Sequence, residues 1–426
     1  MATPIPGQVQ SLLPGGESLV HTAQGSLLVG GCIAGEVVEV VPQQRHRGMQ
    51  RGYLHAVKQP SSDRRVPPCP VADTCGGCAL QHVTTTAQQT IKLHWVREAY
   101  HPIVHDDVVV DWLPRSPKSA LRRRVCWHVA TADTARNADG AVLLGFRQRR
   151  SHHLVAAGEC VVVEPILRTL YQRLNAALRT GSLPLVETIT ATVLQDGIHL
   201  VLKSPPADNP TPPFDHLDDL PIQWWWQTDA MIAPWNRPVH RLHDTLPAAG
   251  GSEIAIGIGP VDFLQASHQA NWALVQWLIG QCAHASRIVD LFCGSGNLSL
   301  PLAGANRQIM GADSNPDGIN LANRSAKTLA ISAQYRQVNL FDRFDPAPFT
   351  GADLLILDPP RKGARRVASM MGQLLPRQLI MIHCDPASGR RDAISVANQG
   401  YRLQRLHALE MFPESGHIET VSLWRK

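Results

Sequence analysis

The sequence predicts an α/β protein with a small N-terminal β-barrel, a mixed α+β central region and a C-terminal domain built on a mainly parallel sheet. From Ser267 onwards, helical stretches alternate with short apolar runs at residues 288–292, 309–312, 354–357 and 379–382. This alternation is typical of βα units around a sheet that is buried on both faces. The first sixty residues show short alternating runs joined by Gly-rich turns, which indicates a barrel. A chain of 426 residues has room for two or three such domains.

We place the barrel in residues 1–66, the central domain in residues 67–262 and the C-terminal domain in residues 263–426. The barrel should end near Ser61, before the Pro-rich stretch at residues 67–70. Residues 84–100 are expected to form a helix, because Ile91, Trp95 and Val96 share one helical face.

Composition excludes several classes of protein. Hydrophobic residues make up 44% of the chain and charged residues 18%, which suits a packed globular protein. No apolar run approaches the roughly 18 residues of a membrane-spanning helix, and residues 1–6 lack the basic start and apolar core of a signal peptide. Nine cysteines, an odd number, argue for reduced thiols. We therefore expect a cytoplasmic protein with no membrane association.

Basic residues are concentrated in one segment. The whole chain carries a net charge of +5, whereas the segment from Arg115 to Arg150 holds nine basic and two acidic residues, a net charge of +7. Such a concentration is typical of a surface that binds a polyanion, and it also fits a solvated basic face.

Four cysteines have the spacing of metal ligands. Cys69, Cys75 and Cys78 lie within ten residues, and Cys160 follows the basic segment. Zinc and an iron–sulfur cluster both accept four thiolates, so the spacing leaves both open. The cysteines at positions 32, 126, 282 and 293 fit no such spacing and are expected in the core.

The first βα turn of the C-terminal domain predicts a nucleotide-type site. A buried strand runs into a turn containing Gly294 and Gly296, and the next strand ends at Asp313, where a carboxylate can hold a ribose diol. The third glycine of a dinucleotide fingerprint is missing, and Asp290 would repel a pyrophosphate. A ligand with a ribose and a positive centre, such as S-adenosylmethionine, fits better, although glycine turns also serve packing alone.

Two further strands should deliver reactive groups to the same sheet edge. Residues 354–357 end in Asp358, which the following two prolines hold at the carboxyl edge. The next strand ends at Cys384. A cysteine after an apolar strand is usually a small core residue. Cys384, however, lies at the sheet edge that also carries the glycine turn, which makes it a candidate nucleophile.

Five motifs follow one another in the last 165 residues: FLQ at 263–265, DLFCGSGN at 290–297, LDPPR at 357–361, CDP at 384–386 and MFPESGHIE at 411–419. This set resembles the RNA uracil-5-methyltransferases, and in particular the iron–sulfur branch that acts on 23S rRNA. The resemblance implies a class I (Rossmann-like) methyltransferase domain, an OB-like TRAM barrel and a central iron–sulfur domain. It also implies 23S rRNA as the partner, without DNA, and 5-methyluridine as the product.

The resemblance assigns roles to individual residues. Cys384 would add to C6 of uracil, so that C5 can accept a methyl group, and Glu419 would then remove the C5 proton. S-adenosyl-L-methionine would contact the residues that match the cofactor positions of the family: Gln265, Phe292, Asn297, Asp313, Asn339 and Asp358. The ligands of a [4Fe–4S] cluster would be Cys69, Cys75, Cys78 and Cys160. Arg122–Arg124 and Arg147–Arg150 would face RNA phosphates.

Three positions depart from the family pattern, and two alternatives stay open. Asp385 replaces Asn, His383 replaces Ser and Ser267 replaces Asn. A carboxylate beside Cys384 should hinder formation of the thiolate unless it is turned away or paired. The alternatives are a methyltransferase for a tRNA uridine and a non-catalytic RNA-binding protein with a degenerate methyltransferase domain.

Overall fold

A computed structural model describes residues 3–43, 48–117, 120–130, 143–156, 158–181, 183, 186–203, 217, 219–235 and 242–426. The chain forms two compact units. Unit 1 comprises Met1–Trp95, Ala130–Val162 and Phe412–His417, and unit 2 comprises Val96–Val129, Val163–Met411 and Ile418–Lys426. Of the basic segment predicted from the sequence, Lys118 and Arg136, with the acidic Asp133 and Asp139, lie outside the described residues.

The N-terminal half of the chain is rich in strands. Strands β1 to β5 are Ile5–Leu12, Glu17–Thr22, Gly25–Gly30, Val37–Pro42 and Arg51–Gln59. Then come helix α1 (Thr85–Tyr100), strands β6 to β9 (Val109–Trp112, Arg124–Ala130, Leu143–Arg147 and Leu154–Val155) and helix α2 (Pro165–Arg179). Strands β10 to β15 are Thr188–Leu194, Gly197–Lys203, Ile222–Gln227, Ile232–Pro234, His243–Pro247 and Glu253–Gly257.

The C-terminal half alternates helices and strands, as predicted. Its elements are α3 (His268–Gln281), β16 (Arg287–Leu291), β17 (Gln308–Asp313), α4 (Pro316–Thr328), β18 (Ala333–Gln337), β19 (Leu354–Leu357), α5 (Arg365–Ala368), α6 (Met371–Leu374), β20 (Gln378–His383), α7 (Pro386–Ala397), β21 (Arg402–Leu409) and β22 (Glu419–Arg425). No helix in the described ranges is long and apolar enough to cross a membrane.

The predicted N-terminal barrel is confirmed. Within the described part of unit 1, β1 to β5 close into a barrel in the order β1-β2-β3-β5-β4. Alternate residues of the strands point inwards, and Val20, Val29 and Val38 are fully buried in its core. Alternation of this kind lets each strand bury one face while the other meets water.

Unit 2 contains the predicted parallel sheet. Among the described residues its strand order is β18-β17-β16-β19-β20-β22-β21-β6. Strands β16 to β20 are mutually parallel, so their carboxyl ends meet at one edge, whereas β22 runs antiparallel to β20. Each residue of Leu354–Leu357 is buried, as expected for a strand covered on both faces. The crevice at the carboxyl edge of such a sheet is the usual place for a ligand.

The predicted core thiols are confirmed at three positions and wrong at one. Cys32, Cys282 and Cys293 are buried, whereas Cys126 is exposed on β7. The difference follows from alternation along β7, where Val125 and Trp127 point inwards and Cys126 points out.

Candidate active site

The sheet brings Cys384 and Glu419 to the same edge. His383, the last residue of β20, pairs with Thr420 of β22, so the next residues on the two strands, Cys384 and Glu419, lie side by side. Strand β19 is the parallel neighbour of β20 on its other side, and it ends one residue before Asp358. The predicted nucleophile, base and edge carboxylate therefore form one group.

The thiol of Cys384 is partly accessible, and its surroundings keep it protonated. Burial is the main cause that raises its pKa to about 11, and the carboxyl groups of Glu419 and Asp358 add to the effect. Asp385 contributes least among these causes. Its side chain caps helix α7 by accepting a hydrogen bond from the Ser388 amide at 2.9 Å. The carboxylate that departs from the family pattern is thus committed to the helix.

Glu419 is buried and Asp358 is half-buried, and the pKa of each carboxyl group is raised. Glu419 is 5% exposed, and burial raises its pKa to about 7. Burial, with a smaller contribution from Glu419, raises the pKa of Asp358 well above its usual range. A carboxyl group with a pKa near neutrality suits a general base, because its ionised form is available and still basic enough to accept a proton.

The glycine turn after β16 has the shape predicted for a ligand site. Phe292, Gly294 and Gly296 all have positive φ, at +69°, +52° and +86°. The strained Phe292 marks a sharp turn at the end of the strand. Asp313 accepts hydrogen bonds from the amides of Gly294 at 3.0 Å and Asn315 at 2.9 Å. Its carboxylate is therefore fixed beside the turn.

The other predicted cofactor residues lie around this turn. Gln265 donates a hydrogen bond to Asp358 at 2.9 Å, which links the FLQ motif to the sheet edge that carries Cys384. Asn297 exchanges two hydrogen bonds with Asn271 of α3, at 2.8 and 3.0 Å. The Phe292 ring lies 5.4 Å from that of Phe341.

Asn339 is exposed in the loop after β18, where its amide donates to Asp342 at 2.6 Å. The same loop carries Phe341, the neighbour of Phe292. Asn339 therefore belongs to the loop that contacts the glycine turn through Phe341 and Phe292.

From the sequence, Asp290 argued against a pyrophosphate ligand but was not selected as a cofactor contact. It is fully buried on β16 and has no cationic partner among the described residues; the hydrogen bond that lowers its pKa comes from the Ser299 side chain. Burial raises its pKa to about 7. An acidic residue inside an otherwise apolar strand was the available signal. Because an unpaired buried carboxylate is costly, this position suits a ligand that carries positive charge.

The remaining two departures from the family pattern have local structural roles. Ser267 is the N-cap of α3 and accepts a hydrogen bond from the Ala270 amide at 3.3 Å. His383 is buried and contacts Asp392 of α7, with 3.1 Å between its Nε2 and a carboxylate oxygen. Neither substitution blocks the edge that carries Cys384.

The expectation that Arg122–Arg124 face RNA is wrong for two of the three residues. Arg123 is 1% exposed and donates to Asp244 at 2.7 Å and to the Gln265 carbonyl at 2.9 Å. Arg124 donates to Thr192 at 2.7 Å and to the Asp262 carbonyl at 2.5 Å, and burial lowers its pKa to about 10. These guanidinium groups are interior hydrogen-bond donors of unit 2.

In unit 1, the side chains of Arg147, Arg149 and Arg150 are also engaged with the protein. They contact His152, the Cys78 carbonyl and Glu17, respectively. Arg150 is nevertheless 48% exposed, so this part of the predicted basic surface is open to solvent.

The four cysteines that the resemblance implies as cluster ligands, Cys69, Cys75, Cys78 and Cys160, all belong to unit 1, and none of them forms a disulfide within the described residues. Burial and, more weakly, the thiols of Cys78, Cys69 and Cys75 raise the pKa of Cys160 to about 11. Gln81 accepts a hydrogen bond from the Cys69 amide at 3.2 Å. In the ranges that the structure describes, no three metal-ligating side chains close on a point that could hold a single ion.

Comparison with known proteins defines the class first. The family model described as "Methyltransferase small domain" matches residues 268–378, which contain the glycine turn and β19. The solved structure of the Pyrococcus abyssi tRNA (uracil-54, C5)-methyltransferase in complex with S-adenosyl-L-homocysteine covers 99% of this chain and 100% of its own, with a TM-score of 0.75 at 19% identity. The fold is that of a methyltransferase.

Curated relatives then define the family. The 23S rRNA (uracil(1939)-C(5))-methyltransferase RlmD of Acidithiobacillus ferrooxidans is 30% identical, and the alignment covers 98% of this chain and 96% of the relative. The protein of the same name from Pectobacterium atrosepticum is 29% identical over 98% of this chain and 92% of its own. The chain belongs to the RNA uracil-5-methyltransferase family.

Proposed function

We propose that this protein methylates C5 of a uridine in 23S rRNA and forms 5-methyluridine. The observation that carries the proposal is the placement of Cys384 and Glu419 side by side at the sheet edge that bears the glycine turn. The relatives cited above are named for uracil 1939 of 23S rRNA, and we take that uridine as the target. We also place the protein in the cytoplasm.

The chemistry assigned to the chain needs one nucleophile and one base. Cys384, as the thiolate, adds to C6 of uracil, and the resulting enolate makes C5 nucleophilic enough to accept the methyl group. Glu419 then takes the proton from C5, and the bond from Cys384 to C6 breaks to release the methylated ring. A cationic ligand beside Glu419 and Asp358 would favour the ionised forms of both carboxyl groups. It would also lower the pKa of Cys384 and so favour the thiolate.

S-adenosyl-L-methionine supplies an electrophilic methyl group on a positively charged sulfur. Asp313 would hold its ribose hydroxyls, Phe292 would line its pocket, and Gln265, Asn297, Asn339 and Asp358 would complete the contacts. The acidic character of the pocket supports this ligand, because Asp290 is buried without a cationic partner in the described chain and Asp358 lies beside the reacting groups. Such a pocket favours a cation over a pyrophosphate.

The first test is the replacement of Cys384. Cys384→Ala should abolish methylation of rRNA isolated from a strain that lacks the gene, because no other group can add to C6. Cys126→Ala, which removes an exposed thiol from β7, is the matched control and should keep full activity. Mass-spectrometric mapping of the product would identify the methylated nucleotide.

Three results would contradict the proposal. Full activity of Cys384→Ala would exclude the covalent mechanism, methylation of tRNA alone would change the substrate, and wild-type protein that binds rRNA without turnover would favour a non-catalytic role.

For unit 1, we propose a TRAM-type RNA-binding barrel and a [4Fe–4S] cluster held by Cys69, Cys75, Cys78 and Cys160. Four thiols form the donor set that an iron–sulfur cluster requires. Cys78, Cys69 and Cys75 also lie close enough to Cys160 to raise its pKa, which supports a shared cluster. Its role would be structural, because it joins the loop at residues 69–78 to the segment that carries Cys160.

Metal analysis tests the cluster assignment. Protein purified without oxygen should be brown and contain close to four irons and four sulfides per chain. The variant Cys78→Ser should lose iron, whereas Cys32→Ser, at a buried cysteine in the barrel core, should keep it. Stoichiometric zinc without iron would replace the cluster by a zinc site.

A further inference from the structure

A second basic segment follows Asp358, one of the proposed cofactor contacts. Between Asp358 and Asp385 the sequence contains five basic residues and no acidic residue. Four of the five basic residues stand close together, at positions 361, 362, 365 and 366. They follow the carboxyl end of β19 directly, so the topology places them next to the edge that carries Cys384.

The side chains of this segment are available to a ligand. Arg361, Lys362, Arg365 and Arg366 are all exposed. In the part of the chain that the structure describes, none of the four forms an ion pair. This contrasts with Arg123, whose charge is already matched by Asp244. An unmatched cluster of four positive charges attracts a polyanion.

The backbone of the segment is held in a fixed conformation. Asp392 of α7 accepts a hydrogen bond from the Ala364 amide, and Arg391 donates to the Lys362 carbonyl at 2.7 Å. Gly363, between them, has φ +78°, and a Cβ there would lie only 2.4 Å from the Arg391 guanidinium and 2.5 Å from the Asp392 carboxylate. A fixed backbone lowers the entropy cost of binding a ligand.

Lys362 connects this segment to the proposed cofactor pocket. Its ammonium group lies 3.4 Å from the centre of the Phe341 ring, a cation–π contact that orients the side chain. The other neighbour of Phe341 is Phe292, in the glycine turn. The basic surface therefore begins beside the proposed cofactor pocket.

A groove extends the surface away from the catalytic edge. Arg343 and Arg366 both line a cavity of about 720 Å³, together with Ser369 and Gln373. The one carboxylate of this lining in the described residues, Asp345, accepts a hydrogen bond from the Ala347 amide at 3.0 Å. Two guanidinium groups on one groove can each contact a phosphate oxygen.

We propose that Arg343, Lys362, Arg365 and Arg366 bind the backbone phosphates of the RNA nucleotides that flank the target uridine. The inference rests on the proposed function, since RNA is the polyanion that must reach this edge. A uridine that meets Cys384 has to leave its stack, and contacts to neighbouring phosphates hold the strand while the base is extruded.

The test compares two pairs of arginines on the same unit. Arg365→Ala combined with Arg366→Ala should weaken binding of an rRNA fragment on the order of tenfold, and should reduce the salt slope of log K by about 1.4, as expected for two lost phosphate contacts on a single strand. The control, Arg402→Ala combined with Arg405→Ala, removes two exposed arginines from the opposite end of the sheet and should change neither quantity.

The outcomes separate this inference from the proposed function. Unchanged affinity and salt slope in the Arg365/Arg366 variant would overturn the inference, even if wild-type methylation is normal. Absence of methylation by the wild type would overturn the proposed function, while the binding data would still decide the inference. Unchanged RNA affinity with lost binding of polyglutamate would assign the surface to an acidic protein and overturn the RNA proposal. If the double variant unfolds, Lys362→Gln tested alone should weaken binding and lower the salt slope by about 0.7.

Discussion

Two arginine-rich segments of unit 2 look alike in the sequence and differ completely in the structure. Arg122–Arg124 lead into β7, and Arg123 and Arg124 bond to acceptors inside the protein. The segment at residues 361–366 follows β19 and keeps its charges exposed. The comparison shows that the density of positive charge along a chain does not identify a nucleic-acid surface. The position of the segment relative to the sheet decides whether the charge faces solvent.

The difference arises from contacts that are distant in sequence. Asp244, the partner of Arg123, lies 121 residues after Arg123 in the sequence. Asp262, whose carbonyl accepts a hydrogen bond from Arg124, lies 138 residues after Arg124. No sequence pattern near Arg123 and Arg124 predicts these distant acceptors. By contrast, the segment after Asp358 has no acidic residue until Asp385, and the two prolines at positions 359 and 360 take the chain out of the sheet.

The largest expected effect is on stability when the interior arginine is removed. Arg123→Ala should lower the free energy of unfolding by about 3–5 kcal/mol, because it leaves the buried carboxylate of Asp244 without its main cationic partner. Arg365→Ala should change it by no more than about 0.5 kcal/mol, since that side chain is exposed. Unfolding in urea, followed by circular dichroism, measures both. Equal losses in the two variants would contradict the distinction between interior and surface arginines.

A smaller effect concerns the buried carboxylate of Glu419, the proposed general base. Burial raises the pKa of Glu419 to about 7, so below that pH its ionised fraction falls about tenfold per pH unit. Breakdown of the covalent RNA–protein adduct should slow by the same factor, because the base must be ionised to accept the C5 proton. Single-turnover reactions sampled on denaturing gels would show this.

Glu419→Gln is the matched variant for this pH dependence. It should accumulate the adduct at every pH and lose the dependence on pH below 7. Normal turnover of this variant, with no adduct, would remove Glu419 from the mechanism.

Much of the fold was predictable because its signals are local. The alternating apolar runs after Ser267 correspond to β16, β17, β19 and β20, and the Gly-rich turns before residue 60 correspond to the barrel. After Asn297, where a βα unit would normally continue into an α-helix, the chain forms turns and a short 3-10 helix, Leu300–Leu302. Pro301 favours such a short helix, because it can occupy only the first turn.

The candidate site was predictable in its members and less so in its electrostatics. The motifs selected Cys384, Glu419 and Asp358, and the register of β20 and β22 brings the first two together. The expected interference from Asp385 could not be judged from the sequence, since it depends on the side chain turning to cap α7. Asp290 argued against a pyrophosphate from the sequence, but its burial without a cationic partner becomes visible only in three dimensions.

The reversed direction of β22 has a consequence for substrate fit. The proposed nucleophile and base, Cys384 and Glu419, lie one residue beyond the last pair of the antiparallel β20–β22 ladder, His383 and Thr420. Main-chain hydrogen bonding spaces opposed Cα atoms in such a ladder by about 4.5–5.5 Å, so the ladder limits the separation of the two residues. The spacing of opposed Cα atoms in the sheet is therefore comparable with the width of a single pyrimidine. Repacking of side chains elsewhere in unit 2 would not change this spacing between the two strands.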